Sequence, residues 1–145
     1  MMKKILILLV IGFVAVGYLK NETTLFHPGT GEVGVSDERL ADAWKNGESD
    51  LQVEGAGVVI KILADDLSGS RHQRFILELG TGQTLLIAHN IDLAERIDSL
   101  REGDRVEFFG EYEWNQKGGV IHWTHHDPAG RHVGGWLRHE GVTYQ

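Results

Sequence analysis

The stretch GDRVEFFGEYEWNQKGGVIHWTHH, residues 103–126, decides the fold. A Gly-Asp pair launches it, and apolar and polar side chains then alternate with a period of two, the signature of strands with one buried face. Treating Lys117-Gly118 as a two-residue hairpin turn predicts Glu113 opposite His122, Tyr112 opposite Trp123 and Glu111 opposite Thr124. One face then carries Phe108, Tyr112, Trp114, Ile121 and Trp123, and the other Glu111, Glu113, His122, Thr124 and His126. A four-residue loop would shift the pairs and keep the faces, whereas a three-residue loop would exchange them.

Outward from this hairpin, the same period marks strands at 51–64, 71–79 and 84–90, ahead of those at 105–115 and 120–126. Leu93, Ile97 and Leu100 line up in a helical pattern over 92–100. A shorter helix is expected from an N-cap at Ser36 through the acidic Asp37 and Glu38 and the pair Leu40 and Trp44, closing at Gly47. Three strands, a helix and two strands, with Gly103-Asp104 opening the fourth strand, resemble the OB-fold, a five-stranded, partly open Greek-key barrel. Another small β-barrel or sandwich with a helical plug is the alternative. Residues 127–145 read as an irregular, glycine-punctuated tail. In the hairpin over 71–90, symmetry about Thr81-Gly82 puts Phe75, Leu77, Leu79, Leu86 and Ala88 on one face. His72, Arg74 and His89 fall on the other, with Arg74 opposite His89.

Met1, Met2, Lys3 and Lys4 followed by the apolar run from Ile5 to Leu19 have the pattern of a secretory signal. The run is shorter than the roughly 20 residues of a relaxed membrane span, which favours cleavage after the small residues Ala15 and Gly17. Retention as an anchor is the alternative. The expected organisation is an export segment at 1–19, a linker at 20–35 and one domain at 36–145, in the periplasm or outside the cell. The chain has no cysteine, so neither a disulfide nor a lipidated Cys supports this domain. Its net charge of −7 becomes −9 if Lys3 and Lys4 are removed, leaving 12 bases against 21 acids. Such a surface repels polyanions, which argues against non-specific nucleic-acid binding.

Two clusters carry candidate chemistry. Arg71, His72, Arg74 and His89 form a ligand-binding set that could grip a phosphate or carboxylate, fed by the loop from Asp65 to Ser70. Its bland counterpart is a solvated loop with Asp65 or Asp66 paired to an arginine. His122, His125, His126, Asp127 and His132 place four imidazoles and a carboxylate within eleven residues, a supply of ligands for a divalent metal such as zinc. On an extended strand, His122 and His126 stand about 13 Å apart, so they cannot share an ion without a bend. The expected ligands are therefore His122 with Glu113 across the hairpin, or His126 and Asp127 with His132 folded back by Pro128-Ala129-Gly130. Histidines hydrogen-bonded along a sheet edge beside Trp123 and Trp136 are the structural alternative.

At HNIDL (89–93), GEYEWN (110–115) and HWTHHDP (122–128) the chain resembles an uncharacterised family of small exported bacterial proteins. The resemblance covers most of the mature chain; it implies export and an OB-like fold and supplies no activity. A membrane-anchored OB domain with His139 and Tyr144 in a C-terminal tail is also similar in architecture to the periplasmic haem chaperones of cytochrome c maturation. Staphylococcal-type nucleases share the barrel, but their lysine-rich surface is missing here. Because OB barrels host binding more readily than these residues specify a reaction, the expected function is a non-catalytic exported module for an anionic small molecule or oligomer, such as a nucleotide, oligonucleotide or glycan. A metal-dependent hydrolase of the phosphodiesterase kind and an envelope protein-interaction module are the alternatives.

Overall fold

The computed structural model describes residues 31–145, with side chains from residue 36. The expected export segment at 1–19 and positions 20–30 of the expected linker lie outside the described residues. Helix α1 spans Gly31–Asn46, opening ahead of the expected cap at Ser36. It buries Leu40 and Ala43, while Trp44 stays 42% exposed. Its end is a Schellman motif: the Glu48 N–H donates to the Ala43 carbonyl and that of Gly47 to Trp44, with Gly47 at φ 67°.

Seven strands follow: β1 (Leu51–Ile62), β2 (His72–Glu78), β3 (Thr84–Asn90), β4 (Arg105–Glu113), β5 (Val120–His122), β6 (Trp136–His139) and β7 (Val142–Tyr144). The first five close into a barrel in the order β1-β2-β3-β5-β4, sealed by β1 against β4, and β3 and β5 run parallel. Phe75, Leu77, Leu85, Ile87, Val106, Phe108, Tyr112 and Ile121 fill it and are fully shielded from water. Gly55 lies beside the Phe108 ring, where a larger residue would clash.

Loop parity sets what each wall displays. Between β2 and β3 the loop is Gly80-Thr81-Gly82, closed by hydrogen bonds from Leu79 N to Gln83 O and from Gly82 N to Leu79 O, with Gly82 at φ 87°. This is the three-residue hairpin with a left-handed third residue. It corrects the expected symmetry by one residue: Arg74 pairs with Ala88, Gln73 with His89 and His72 with Asn90. Leu85, Ile87 and His89 therefore face the core in place of Leu86 and Ala88. Between β4 and β5 the loop is longer than expected and shifts the pairs by two, to Glu111 with His122, Tyr112 with Ile121 and Glu113 with Val120. The faces survive as far as His122, but Trp114 lies in the loop, 43% exposed, and leaves the core group. Its indole N–H donates to the Trp44 carbonyl while that of Trp44 donates to the Asn115 carbonyl, which ties α1 to this loop.

Two further expectations are corrected. Residues 92–100 form turns, because barrel side chains claim the backbone a helix would need. Gln73 accepts from the Ile97 N–H at 2.8 Å and donates to the Ile97 carbonyl at 2.9 Å, and His89 Nε2 holds the Glu95 carbonyl at 2.9 Å. Ile97 plugs the barrel and Leu93 points to water. The tail is also ordered in part. Strand β6 lies on the edge of β4 that β5 uses, β5 against Glu111–Glu113 and β6 against Val106–Phe109, and β7 folds back through Glu140-Gly141.

Candidate metal centre

Strands β5 and β6 run in the same direction along one edge of β4, so the chain leaves this ladder after His122 and rejoins it at Trp136. Trp123 sits at φ 56°, which breaks the alternation and removes Trp123 from the expected core face. The excursion turns inward at once. Thr124 and His125 are buried, and the Thr124 hydroxyl meets His89 Nδ1 at 2.7 Å. His89 is thus held between Thr124 and the Glu95 carbonyl, and desolvation lowers its pKa to about 4, keeping the ring neutral.

The excursion returns through a loop organised by Asp127. One carboxylate oxygen accepts from the Ala129 N–H and the other from those of Arg131 and His132, each at 2.9 Å. These bonds hold the Asp127 carboxyl well below the usual range. The loop delivers His132 onto the Trp123 ring, stacked at 3.9 Å between centroids. His132 Nδ1 meets the Val133 carbonyl at 2.8 Å and Nε2 meets Glu111 Oε2 at 2.9 Å.

Glu111 is the centre of the cluster. It shares the outward face of β4 with Glu113, and His122 stands opposite on β5. Ligand atoms of Glu111, Glu113 and His122 all lie within 4.8 Å of one another. His122 Nε2 is buried without a hydrogen-bond partner, 3.6 Å from Glu111 Oε2 and 3.5 Å from Glu113 Oε1. Those separations exceed hydrogen-bond length. They match the spacing of two donors on one ion, about 3.4 Å for bonds of about 2.1 Å at a tetrahedral angle. Burial, a hydrogen bond that protonated Glu113 donates to the Asp50 carboxylate and the charges of Asp50 and Glu111 raise the Glu113 pKa, and His122 opposes them. A cation here would relieve the crowded acids and bond the imidazole nitrogen that lacks a hydrogen-bond partner.

Of the expected metal ligands, the structure brings His122 and Glu113 together and sets His132 against Glu111. Asp127 shapes the loop, and the exposed His126 joins no ligand cluster among the described residues. Glu111 joins this cluster without having been among the expected ligands, although its period-two spacing from Glu113 was the available signal.

The expected anion-binding residues do not share one face. His89 points into the barrel, while His72 and Arg74 point outward. The Arg71 side chain and backbone N–H bind Asp92 at 2.7 and 2.9 Å, His72 Nδ1 meets the Ser70 carbonyl, and Arg74 donates twice to the Ala64 carbonyl. Asp65 pairs with Arg96. In the tail, His139 is buried in β6 with Nε2 at 2.8 Å from Asp104 Oδ2. That contact and the Arg101 N–H lower the Asp104 pKa.

A family model described as "Protein of unknown function (DUF3465)" matches residues 26–145. The chain belongs to this DUF3465 family. The match takes in the whole barrel and every residue of the Glu111, Glu113 and His122 cluster. Among curated proteins, no relative matches the chain.

Proposed function

We propose that this DUF3465 chain is an exported, OB-like binding module that holds a divalent transition-metal ion on Glu111, Glu113 and His122 and uses it to capture an anionic ligand. The OB-like reading is supported by the strand order β1-β2-β3-β5-β4, closed by β1 on β4, with β3 parallel to β5. The export reading rests on the basic start and the apolar run at 5–19.

The observation that carries the metal is the buried His122 Nε2 between two carboxylate oxygens, at separations too long for hydrogen bonds and suited to a shared ion. An imidazole with two carboxylates and no thiolate suits zinc, manganese, iron(II), cobalt or nickel better than calcium or magnesium. His132 Nε2 meets Glu111 at Oε2, the oxygen that also faces His122, the kind of supporting contact that orients and tunes a ligand. Three protein ligands leave coordination positions open for an incoming anion. Binding stands ahead of hydrolysis because Arg71 and Arg74, the groups that would neutralise a transition state, are tied to Asp92 and to the Ala64 carbonyl.

Metal analysis of the protein purified from its native compartment, followed by thermal unfolding with added zinc, tests the proposal. Zinc at a hundredfold excess over its dissociation constant adds about 2.7 kcal/mol, a rise in Tm of roughly 10 °C for a domain of this size. Metal-free protein with an unmoved Tm in zinc, manganese and cobalt would refute it.

A further inference from the structure

The registers align outward side chains into two rows that cross the barrel wall from the metal centre. Arg74 pairs with Ala88 and Glu111 with His122; Ala88 and His122 each lie two residues beyond the paired Leu86 and Val120 of the parallel ladder. One row therefore reads Arg74, Ala88, His122, Glu111. The next reads Lys61, Ile76, Leu86, Val120, Glu113. A wall that meets water ordinarily alternates polar residues outward. Here Ile76, Leu86, Ala88 and Val120 are all outward and all partly exposed. This apolar strip begins at the metal ligands and ends at two cations. Arg74 is fixed at that far end by donating from Nε and Nη2 to the Ala64 carbonyl at 3.2 and 3.0 Å.

Building on the metal reading above, we infer that the captured ligand is an anionic amphiphile: a carboxylate or phosphate head on the ion and an apolar body lying over Ala88, Leu86, Val120 and Ile76 towards Arg74 and Lys61. The ion offers open positions to a hard oxygen anion. From β5 to β2 the strip crosses two interstrand spacings, about 10 Å, which a short alkyl chain spans. Ala88, the smallest side chain of the strip, sits between His122 and Arg74 in its row. With an ion at one end and Arg74 and Lys61 at the other, the strip favours an anionic amphiphile over a cationic one.

Calorimetry on the zinc-loaded full chain tests this with acetate, butanoate, hexanoate and octanoate, and with the matching monoalkyl phosphates. Affinity is expected to rise about fourfold for each methylene that reaches the strip and to level off beyond its end. Leu86→Gln should flatten that rise and leave acetate binding and zinc stabilisation unchanged; Ile76→Gln gives the same reading if the first variant folds poorly. Equal affinity for acetate and octanoate on a protein that binds zinc would overturn the inference while leaving the metal proposal standing. So would octanoate binding of equal strength after zinc is stripped. Failure to bind zinc overturns both. Vesicles of phosphatidylcholine with and without phosphatidic acid separate the sources: recruitment that requires phosphatidic acid assigns a lipid headgroup, and octanoate binding without recruitment assigns a soluble amphiphile.

Discussion

His89→Gln should flatten the acid side of the stability profile. The imidazole is fully buried and neutral, receiving the Thr124 hydroxyl on one nitrogen and donating to the Glu95 carbonyl from the other. Its pKa is about 4 when folded, against 6.5 for an exposed histidine. Between those values the unfolded chain binds a proton that the folded chain refuses, so stability present above pH 6.5 is lost as pH falls towards 4. A difference of that size amounts to about 3 kcal/mol at 1.36 kcal/mol per pKa unit. Urea unfolding at half-unit steps from pH 7.5 to pH 4 measures it. The glutamine variant starts less stable, because Thr124 and Glu95 lose an ideal partner, but its profile should fall by about 3 kcal/mol less over the range. Every other titrating group is common to both proteins, so the difference isolates His89. Parallel profiles, within about 0.5 kcal/mol, would mean that His89 accepts its proton in the folded barrel and that the burial argument is wrong.

Gln73→Leu leaves the Ile97 N–H and carbonyl buried without partners, at about 1–3 kcal/mol each, read as a lower urea midpoint with faster hydrogen exchange at Ile97. Asp37 on α1 is buried with one oxygen accepting from the Gly80 N–H and the other unpartnered, and desolvation raises its pKa. The folded carboxyl keeps its proton to higher pH than the unfolded one, so stability falls as pH rises through this window, and Asp37→Asn should raise Tm at pH 7. Glu111→Gln and His122→Ala should abolish the zinc-dependent rise in Tm, while His126→Ala leaves it intact. His132→Ala should weaken zinc by about tenfold, seen in calorimetry, because Glu111 loses the group that orients it.

Strand positions were legible because alternation over the barrel strands is long and clean, and the registers were not, because they turn on single loop residues. In Gly80-Thr81-Gly82 the sequence fits a two- or a three-residue connection equally well. The choice moves His89 from a solvent face beside Arg74 to the interior, which parts it from His72 and Arg74. In the β4–β5 hairpin the error was an even number of residues, so Glu113 and His122 kept their common face. The helix expected at 92–100 failed for a different reason: its apolar spacing is real, but Gln73 and His89, distant in sequence, take its backbone groups.

The contact of His132 with Glu111 depends on an interruption that no local pattern announces. Had β5 continued through Trp123, Thr124 would have paired with Phe109 and His125 would have followed it along β4, with nothing returning to Glu111. The left-handed turn at Trp123 instead sends Thr124 inward to hold His89 and turns the next residues into a loop. Asp127 fixes that loop through three backbone N–H groups, and His132 lands on Trp123 with its Nε2 against Glu111. The strand then resumes as β6, so β4 loses little of its ladder while gaining a histidine at its outward carboxylates. Histidine density drew attention to residues 122–132, yet density alone could not tell ligand from scaffold. His122 lies in β5, the last strand before the break, and presents its ring to Glu111 and Glu113. His125 and Asp127 build the excursion, and His132 reaches the acids only because the chain leaves the sheet.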